Sequence, residues 1–188
     1  MRQPLRWRLG PATAVALAIA APTTVRAELP AGARAPAFAA RGALAGRPFT
    51  IRLADALKRG PVVLYFYPKA FTQGCTLEAH AFAEASDDFR RAGATVIGMS
   101  SDDLATLQRF STEACRDKFA VASATPAVIR AYDVDLAGEG GSTGLTKRTS
   151  YVIGRDGKIA FVHSDMDYRD HVRLTLEAVK KLKQRKSA

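Results

Sequence analysis

Cysteine is scarce in this chain: two thiols, Cys75 and Cys115, occur in 188 residues, and they do not form a Cys-x-x-Cys pair. That spacing is what a thioredoxin-type disulfide exchanger uses, so its absence argues against one. Histidine is almost as rare. His80, His163 and His171 lie far apart and show no His-x-x-x-His ligand spacing, so no metal site and no cofactor are expected. No apolar run reaches the roughly 20 residues of a membrane span, and no stable membrane anchor is expected. Acidic residues are the minority, 18 against 28 Lys and Arg, which sets the net charge at +10. Nucleic-acid binding would still need a basic face with stacking aromatics or a known motif. Neither is present, so no nucleic-acid partner is expected.

Much of the basic excess lies at the two ends. Arg2, Arg6 and Arg8 precede a short apolar stretch, Ala12–Ala21, and Val25-Arg26-Ala27 puts small residues at −3 and −1 of a cleavage point. This reads as a secretory signal peptide over residues 1–27, removed after Ala27 on export to the periplasm. No paired arginine marks a twin-arginine route. The remaining 161 residues, 28–188, carry a net charge of +6 and are enough for one compact domain. Lys180, Lys181, Lys183, Arg185 and Lys186 close the chain as cations in the last turns of a helix, where they complement its dipole.

The stretch that organises the rest is Pro68–Cys75, continued by Thr76-Leu77-Glu78-Ala79. Before it, Val62–Tyr67 reads as a buried strand bounded by Pro61 and Pro68. After it, Leu77, Phe82 and Phe89 among charged residues give a helix to about Arg91, stopped by Gly93. Cys75 therefore sits in the first turn of a helix, where unpaired N–H groups and the dipole favour a thiolate, the nucleophilic form of cysteine.

The remaining elements follow in order. Glu28–Ala45 reads as an extended lead-in, Phe49, Ile51 and Leu53 as a short strand, and Ala54–Arg59 as a helical turn. Thr95–Met99 is a second buried strand, Ser101-Asp102-Asp103 caps a helix with Leu104, Leu107, Phe110 and Ala114 on one face, and Phe119–Ala122 is a third strand. Thr125-Pro126 starts a helix through Tyr132, and Ala137–Gly144 reads as a glycine-rich loop. That loop lacks the Gly-Lys-Ser/Thr ending of a phosphate loop. Tyr151 to His163 form a hairpin around Arg155-Asp156-Gly157-Lys158, and a helix from about Tyr168 to Lys183 closes the domain. Asp165, Asp167 and Asp170 lack the Gly and distal Glu of a calcium loop and read as a helix N-terminal cluster. Alternating strands and helices make an α/β fold.

Pro68, Thr72 and Cys75 fit the spacing P-x-x-x-T-x-x-C, which resembles the active-site signature of the peroxiredoxins. Phe66-Tyr67-Pro68-Lys69 and Gly74-Cys75-Thr76-Leu77-Glu78 resemble the PrxQ, or bacterioferritin-comigratory, branch of that AhpC/TSA superfamily. The likeness continues through Val96–Asp102 and Arg148–Ile153, from about Ala35 to the last helix. It implies a thioredoxin-like peroxiredoxin fold, with a central mixed sheet flanked by helices. It also implies a thiol-dependent peroxidase acting on hydrogen peroxide and organic hydroperoxides. Cys75 would supply the sulfur, Thr72 a hydroxyl for a peroxide oxygen, and Pro68 a shield without an N–H. Arg148, in an R-x-S-[FY]-x-I context, would stabilise thiolate and leaving oxygen, and Glu78 would orient Arg148 rather than move protons.

One departure concerns the second cysteine. Many members of the branch carry it five residues after the first, where this chain has His80. Cys115, flanked by Glu113, Arg116 and Asp117, reads as an exposed residue at a helix end and is the candidate resolving cysteine. A thioredoxin-like or other dithiol donor would then recycle the enzyme, which the branch suggests is a monomer. Two alternatives stand beside this reading. One is a one-cysteine peroxidase served by an external thiol; the other is a non-catalytic thioredoxin-fold binding or chaperone module.

Overall fold

The computed structural model describes residues 28–187, so the leader expected at 1–27 lies outside the described residues. Two antiparallel strands, β1 (Ala39–Leu44) and β2 (Arg47–Arg52), lead into α1 (Leu53–Arg59). Next come β3 (Val62–Phe66), α2 (Gln73–Glu84), α3 (Ser86–Arg91) and β4 (Thr95–Ser100). They are followed by α4 (Leu104–Glu113), β5 (Ala120–Ser123) and a short α5 (Pro126–Ala131). β6 (Asp135–Gly138) and β7 (Gly141–Thr146) pair with each other, and β8 (Thr149–Ile153) and β9 (Ile159–Ser164) form the expected hairpin. A 3-10 turn, Tyr168–Asp170, runs into α6 (His171–Ser187).

Among the described residues the main sheet has seven strands, in the order β2-β1-β5-β4-β3-β8-β9. β3 is parallel to β4 and antiparallel to β8, so the sheet is mixed, with helices packed against it in a thioredoxin-like arrangement. β3 is apolar at every position because both of its faces are covered. Leu64 and Phe66 join one core with Tyr132 and Tyr151; Val63 and Tyr65 join the other with Phe82, Phe110 and Cys75. Each such side chain contributes about 1.5–3 kcal/mol when fully buried. That makes β3 the rigid rail from which the segment leading to Cys75 departs.

The fold differs from the sequence expectation in four places. The lead-in is partly a strand: β1 pairs with both β2 and β5. Its small residues hid it, since Ala and Gly carry little strand propensity. They are needed there, because a Cβ on Gly42 would lie 2.3 Å from the Val121 carbonyl oxygen. The glycine-rich loop is an exposed two-stranded ribbon, β6 with β7. The helix after Cys75 is interrupted at Ala85 and resumes as α3. Phe49 is exposed, and within β2 Ile51 alone points into the core.

Gly98 shows how tightly β3 and β4 are fitted. It stands opposite Tyr65 in the parallel ladder, and a Cβ there would lie 2.8 Å from the Tyr65 ring. Gly98→Ala should therefore cost about 1–3 kcal/mol, the range for overpacking a filled core. A urea titration would show this as a lower midpoint with an unchanged slope. An unchanged midpoint would mean that the Tyr65 ring yields at no cost.

Candidate active site

The site is built where β3 ends. The ladder runs one residue further, with Tyr67 N–H bonded to the Met99 carbonyl at 3.0 Å, and the chain then turns through Pro68 to Phe71. Two side chains pin this turn. Thr146 Oγ1 donates to the Tyr67 carbonyl at 2.7 Å, and Asp102 Oδ2 accepts from Ala70 N–H at 2.7 Å. Asp102 is itself held by Ser100 Oγ at 2.7 Å. Phe71 takes a left-handed backbone, φ 64°, and rests its ring edge on Phe110.

Thr72 is the residue before α2, but its side chain does not cap the helix. Its hydroxyl donates instead to the Lys69 carbonyl at 2.9 Å, which leaves the oxygen lone pairs as acceptors. The first intrahelical bond is Thr76 N–H to the Thr72 carbonyl, so the N–H groups of Gln73, Gly74 and Cys75 have no acceptor inside the helix. Pro68 is half-buried and brings no N–H to the turn.

Cys75 is 2% exposed, and its Sγ accepts from Arg148 Nη2 at 3.4 Å. Arg148 is 4% exposed and uses all three nitrogens. Nη1 donates to Glu78 Oε2, and Nε to the Met166 carbonyl at 3.1 Å. Glu78 lies one helical turn after Cys75, on the same face. Arg148 arrives by strand register: Phe66 faces Thr149 across the β3–β8 ladder, which sets Arg148 just past the last pair, beside the turn that leads to Cys75. Burial works against the Arg148 charge, but Glu78 and then Cys75 outweigh it and hold the guanidinium above its ordinary value. Burial pushes the Glu78 carboxyl up to about 8, with Arg148 pulling it back. One guanidinium thus stands between a carboxyl group and a sulfur in a buried core.

Cys75, Thr72, Pro68, Arg148 and Glu78 are therefore gathered around one helix start. Cys115 corrects the sequence expectation, because it is wholly buried rather than exposed. The end of α4 is a widened turn, with Cys115 N–H bonded to the Phe110 carbonyl, and Arg116 and Asp117 both follow in left-handed conformation. The charged neighbours turn outward while Cys115 turns into the same aromatic core as Cys75, and the two thiols are not joined. Burial, with Asp117 adding to it, holds the Cys115 thiol protonated well above its ordinary range.

Ser150 and His171 were not foreseen. His171, the first residue of α6, is wholly buried, with Nδ1 2.8 Å from Ser150 Oγ and Nε2 2.9 Å from the Asp165 carbonyl. The His163 ring meets it edge-on at 4.5 Å. Nothing local in the sequence brings these residues together; the meeting of β8, β9 and α6 does. Asp165 and Asp167 serve local turns and Asp170 pairs with Arg173. Among the described residues no group of His, Cys, Asp and Glu is arranged to hold a metal.

The comparisons with known proteins agree with this geometry. The model of the AhpC/TSA family matches residues 31–162. A chloroplastic peroxiredoxin Q of Oryza sativa subsp. japonica is 32% identical over 145 residues, covering 71% of this chain and 64% of that protein. The chain thus spans a little under two thirds of the rice relative's length. A putative peroxiredoxin of Mycobacterium tuberculosis is 35% identical over 133 residues, 69% of this chain and 86% of its own. Among solved structures, a peroxidoxin of Mycobacterium tuberculosis superposes with a TM-score of 0.72 at 29% identity, over 81% of this chain and 97% of that one. A peroxiredoxin Q of Xanthomonas campestris gives 0.67 at 26%, over 76% and 90%. Since the family model spans well over half of the sequence and the relatives repeat one name, this chain belongs to the AhpC/TSA family, among proteins of the peroxiredoxin Q type.

Proposed function

We propose that the chain is a thiol-dependent peroxidase that reduces hydrogen peroxide and organic hydroperoxides. The observation that carries this is the buried Cys75 sulfur 3.4 Å from the Arg148 guanidinium, at a helix start with unused N–H groups. The Cys75 thiolate attacks the outer peroxide oxygen in line with the O–O bond. An S–O bond forms, the O–O bond breaks, and the leaving oxygen takes up a proton to become water or an alcohol. Thr72 accepts the hydroperoxide O–H, and Pro68 walls one side. Arg148 and the helix N–H groups stabilise the anionic oxygen as it develops. Phe71, Leu77 and Met166 are exposed apolar residues on the segments that carry the site, which suits an organic substrate or a docking reductant.

Cys115 is read as the cysteine that condenses with the Cys75 sulfenic acid, releasing water and forming a disulfide. An external dithiol donor, thioredoxin-like or other, then reduces that disulfide. Direct bridging needs Cα atoms within about 7 Å, so Cys75, fixed in the first turn of α2, is read as reaching Cys115 in the turn after α4 by unwinding of that first turn. The complete burial of Cys115 favours the second reading, a one-cysteine peroxidase served by an external thiol. Residues 1–27 are read as an export signal, placing a monomeric mature enzyme in the periplasm, where its donor would also have to be exported.

Cys75→Ser should abolish dithiol-driven peroxide consumption while the fold persists; comparable turnover would remove Cys75 from the chemistry. After one equivalent of peroxide, peptide mapping should find a linked Cys75–Cys115 peptide in the wild type. Sulfenic or sulfinic Cys75 alone, with normal turnover in Cys115→Ser, would establish the one-cysteine cycle. Arg148→Lys keeps a charge but loses the fork that spans Glu78 and Cys75, and should lower kcat/KM about a hundredfold, as for loss of a principal oxyanion donor. An unchanged value would separate Arg148 from the reaction. The protein recovered from its native host should have a mass starting at Glu28 and elute as one chain; retention of Met1–Ala27 in a membrane fraction would contradict export by cleavage.

A further inference from the structure

Glu78 has one carboxyl oxygen that the fold does not satisfy. Oε2 takes the Arg148 bond, whereas Oε1 is buried with no hydrogen-bond partner among the described residues. The group it faces is His171 Nδ1, 3.9 Å away, and both residues are wholly buried. The Asp165 carbonyl can only accept, so the His171 Nε2 beside it carries the ring proton. Nδ1 is then a lone pair, accepting from Ser150 Oγ. Two acceptors thus face each other in a buried core with no proton between them. One proton on Oε1 would turn that repulsion into a hydrogen bond, after a closure of about 1 Å and with the Ser150 hydroxyl turning its proton away from Nδ1, which has a single lone pair to offer.

Counting charge leads to the same place. Among the described residues this core holds one permanent cation, Arg148, in contact with both Glu78 and Cys75. A thiol with an ionised Glu78 leaves this core neutral. A thiolate with an ionised Glu78 leaves a net buried negative charge, which the interior disfavours. A thiolate with a proton on the Glu78–His171 pair is neutral again. We propose that the Glu78 Oε1–His171 Nδ1 pair takes up the proton that Cys75 gives up, which makes His171 a positioning residue for the thiolate–Arg148 contact. The Cys75 S–H bond breaks and an O–H bond directed at Nδ1 forms, so charge and electron count are unchanged and no oxidant or reductant is needed. The inference rests on the peroxidase reading of Cys75 and replaces the expectation that Glu78 moves no proton.

The surroundings decide which atom keeps the proton. His171 is faced by Glu78 from α2, Arg148 ahead of β8, His163 from β9, and Asp165 and Asp170 ahead of α6. Burial holds the imidazole down to about 4, against the Asp165 carbonyl and with His163 and Arg148 adding to the effect. Burial raises the Glu78 carboxyl to about 8 from an ordinary 4.5. The proton therefore stays on Glu78, and Nδ1 receives it as a hydrogen bond in place of the one from Ser150. Because the folded value lies above the unfolded one, the site is loaded below about 8 and empties above it, and the stability linked to it falls as pH rises through that window.

The test follows the Cys75 peptide by mass spectrometry as iodoacetamide alkylates it across a pH series. An infrared spectrum of the reduced protein is recorded alongside. Glu78→Gln installs a neutral group with the shape of the protonated acid. Its alkylation midpoint should equal or fall below that of the wild type, and it should lack a carboxylic acid C=O band that the wild type shows at neutral pH. His171→Leu should raise the midpoint by about one pH unit, a tenfold loss of thiolate below the midpoint. His171→Gln, whose amide oxygen can accept, should largely restore it. A higher midpoint in Glu78→Gln, or no acid band in the wild type, would overturn the proposal even if His171→Leu fails to fold. Neither readout uses peroxide, so peroxide consumption by the wild type with a dithiol tests the enzyme reading separately.

Discussion

A single guanidinium with two claimants governs this structure. Arg148 is buried, its Nη1 is given to Glu78 and its Nη2 to Cys75, and its third nitrogen is held by the Met166 carbonyl. In water such a cluster would be worth little, because exposed ion pairs contribute at most about 1 kcal/mol. Inside the protein the same contacts are strong, and so is the penalty for leaving any one of them unmatched. The position of Arg148 must therefore be held to a fraction of an ångström, and the sheet does this. Arg148 follows Thr146, which bonds the Tyr67 carbonyl, and precedes Thr149, which faces Phe66 in the ladder. The residues on either side of the arginine are thus tied to the strand that delivers the cysteine.

The same economy appears across β4. Asp102 accepts from Ala70 in the turn before Cys75 and from Ser100 at the strand end, and its carbonyl accepts from Ser123 of β5. Thr146 at the end of β7 and Asp102 just after β4 thereby fix the turn from both sides through side-chain bonds to backbone. Fixed backbone at Ala70 leaves Thr72 little freedom except to place its hydroxyl on Lys69. This leaves the helix start uncapped by its own N-cap residue, which an ordinary helix would forgo at a cost of about 1 kcal/mol. Here the uncapped N–H groups face the sulfur's end of the helix, so a local loss of stability becomes a feature of the site.

What the sequence made legible tracks how local each signal was. β3, β4 and the hairpin of β8 and β9 carry long apolar or alternating runs bounded by Pro and Gly, and they were read correctly. So was the placing of Cys75 in a first helical turn, because strand, turn and helix are contiguous there. β1 was missed because Ala40, Gly42 and Ala43 are buried for lack of size rather than for hydrophobicity. Cys115 was misread because charged neighbours say nothing about direction once the helix ends in a widened turn with two left-handed residues. Ser150, His163 and His171 come from three elements and meet through packing alone. Burial and tautomer are properties of that meeting, and no spacing in the chain encodes them.

The positive charge of the chain does not explain the site. Arg59, Arg91, Arg155 and Lys183 line one cleft with Gly60, Gly93 and Gly154, at the end of the sheet where β3 and β4 begin. Cys75 follows the other end of β3. A five-residue strand spans roughly 17 Å, about twice the ~8 Å Debye length at physiological salt, so those exposed cations are largely screened before they reach the sulfur. A buried pair escapes that screening. What touches the Cys75 sulfur is in the core, Arg148 and through it Glu78, out of reach of the surface lysines. Charge that acts on chemistry here is internal and counted singly, which is why one unpaired oxygen on Glu78 matters more to this site than the whole basic surface at the far end of the sheet.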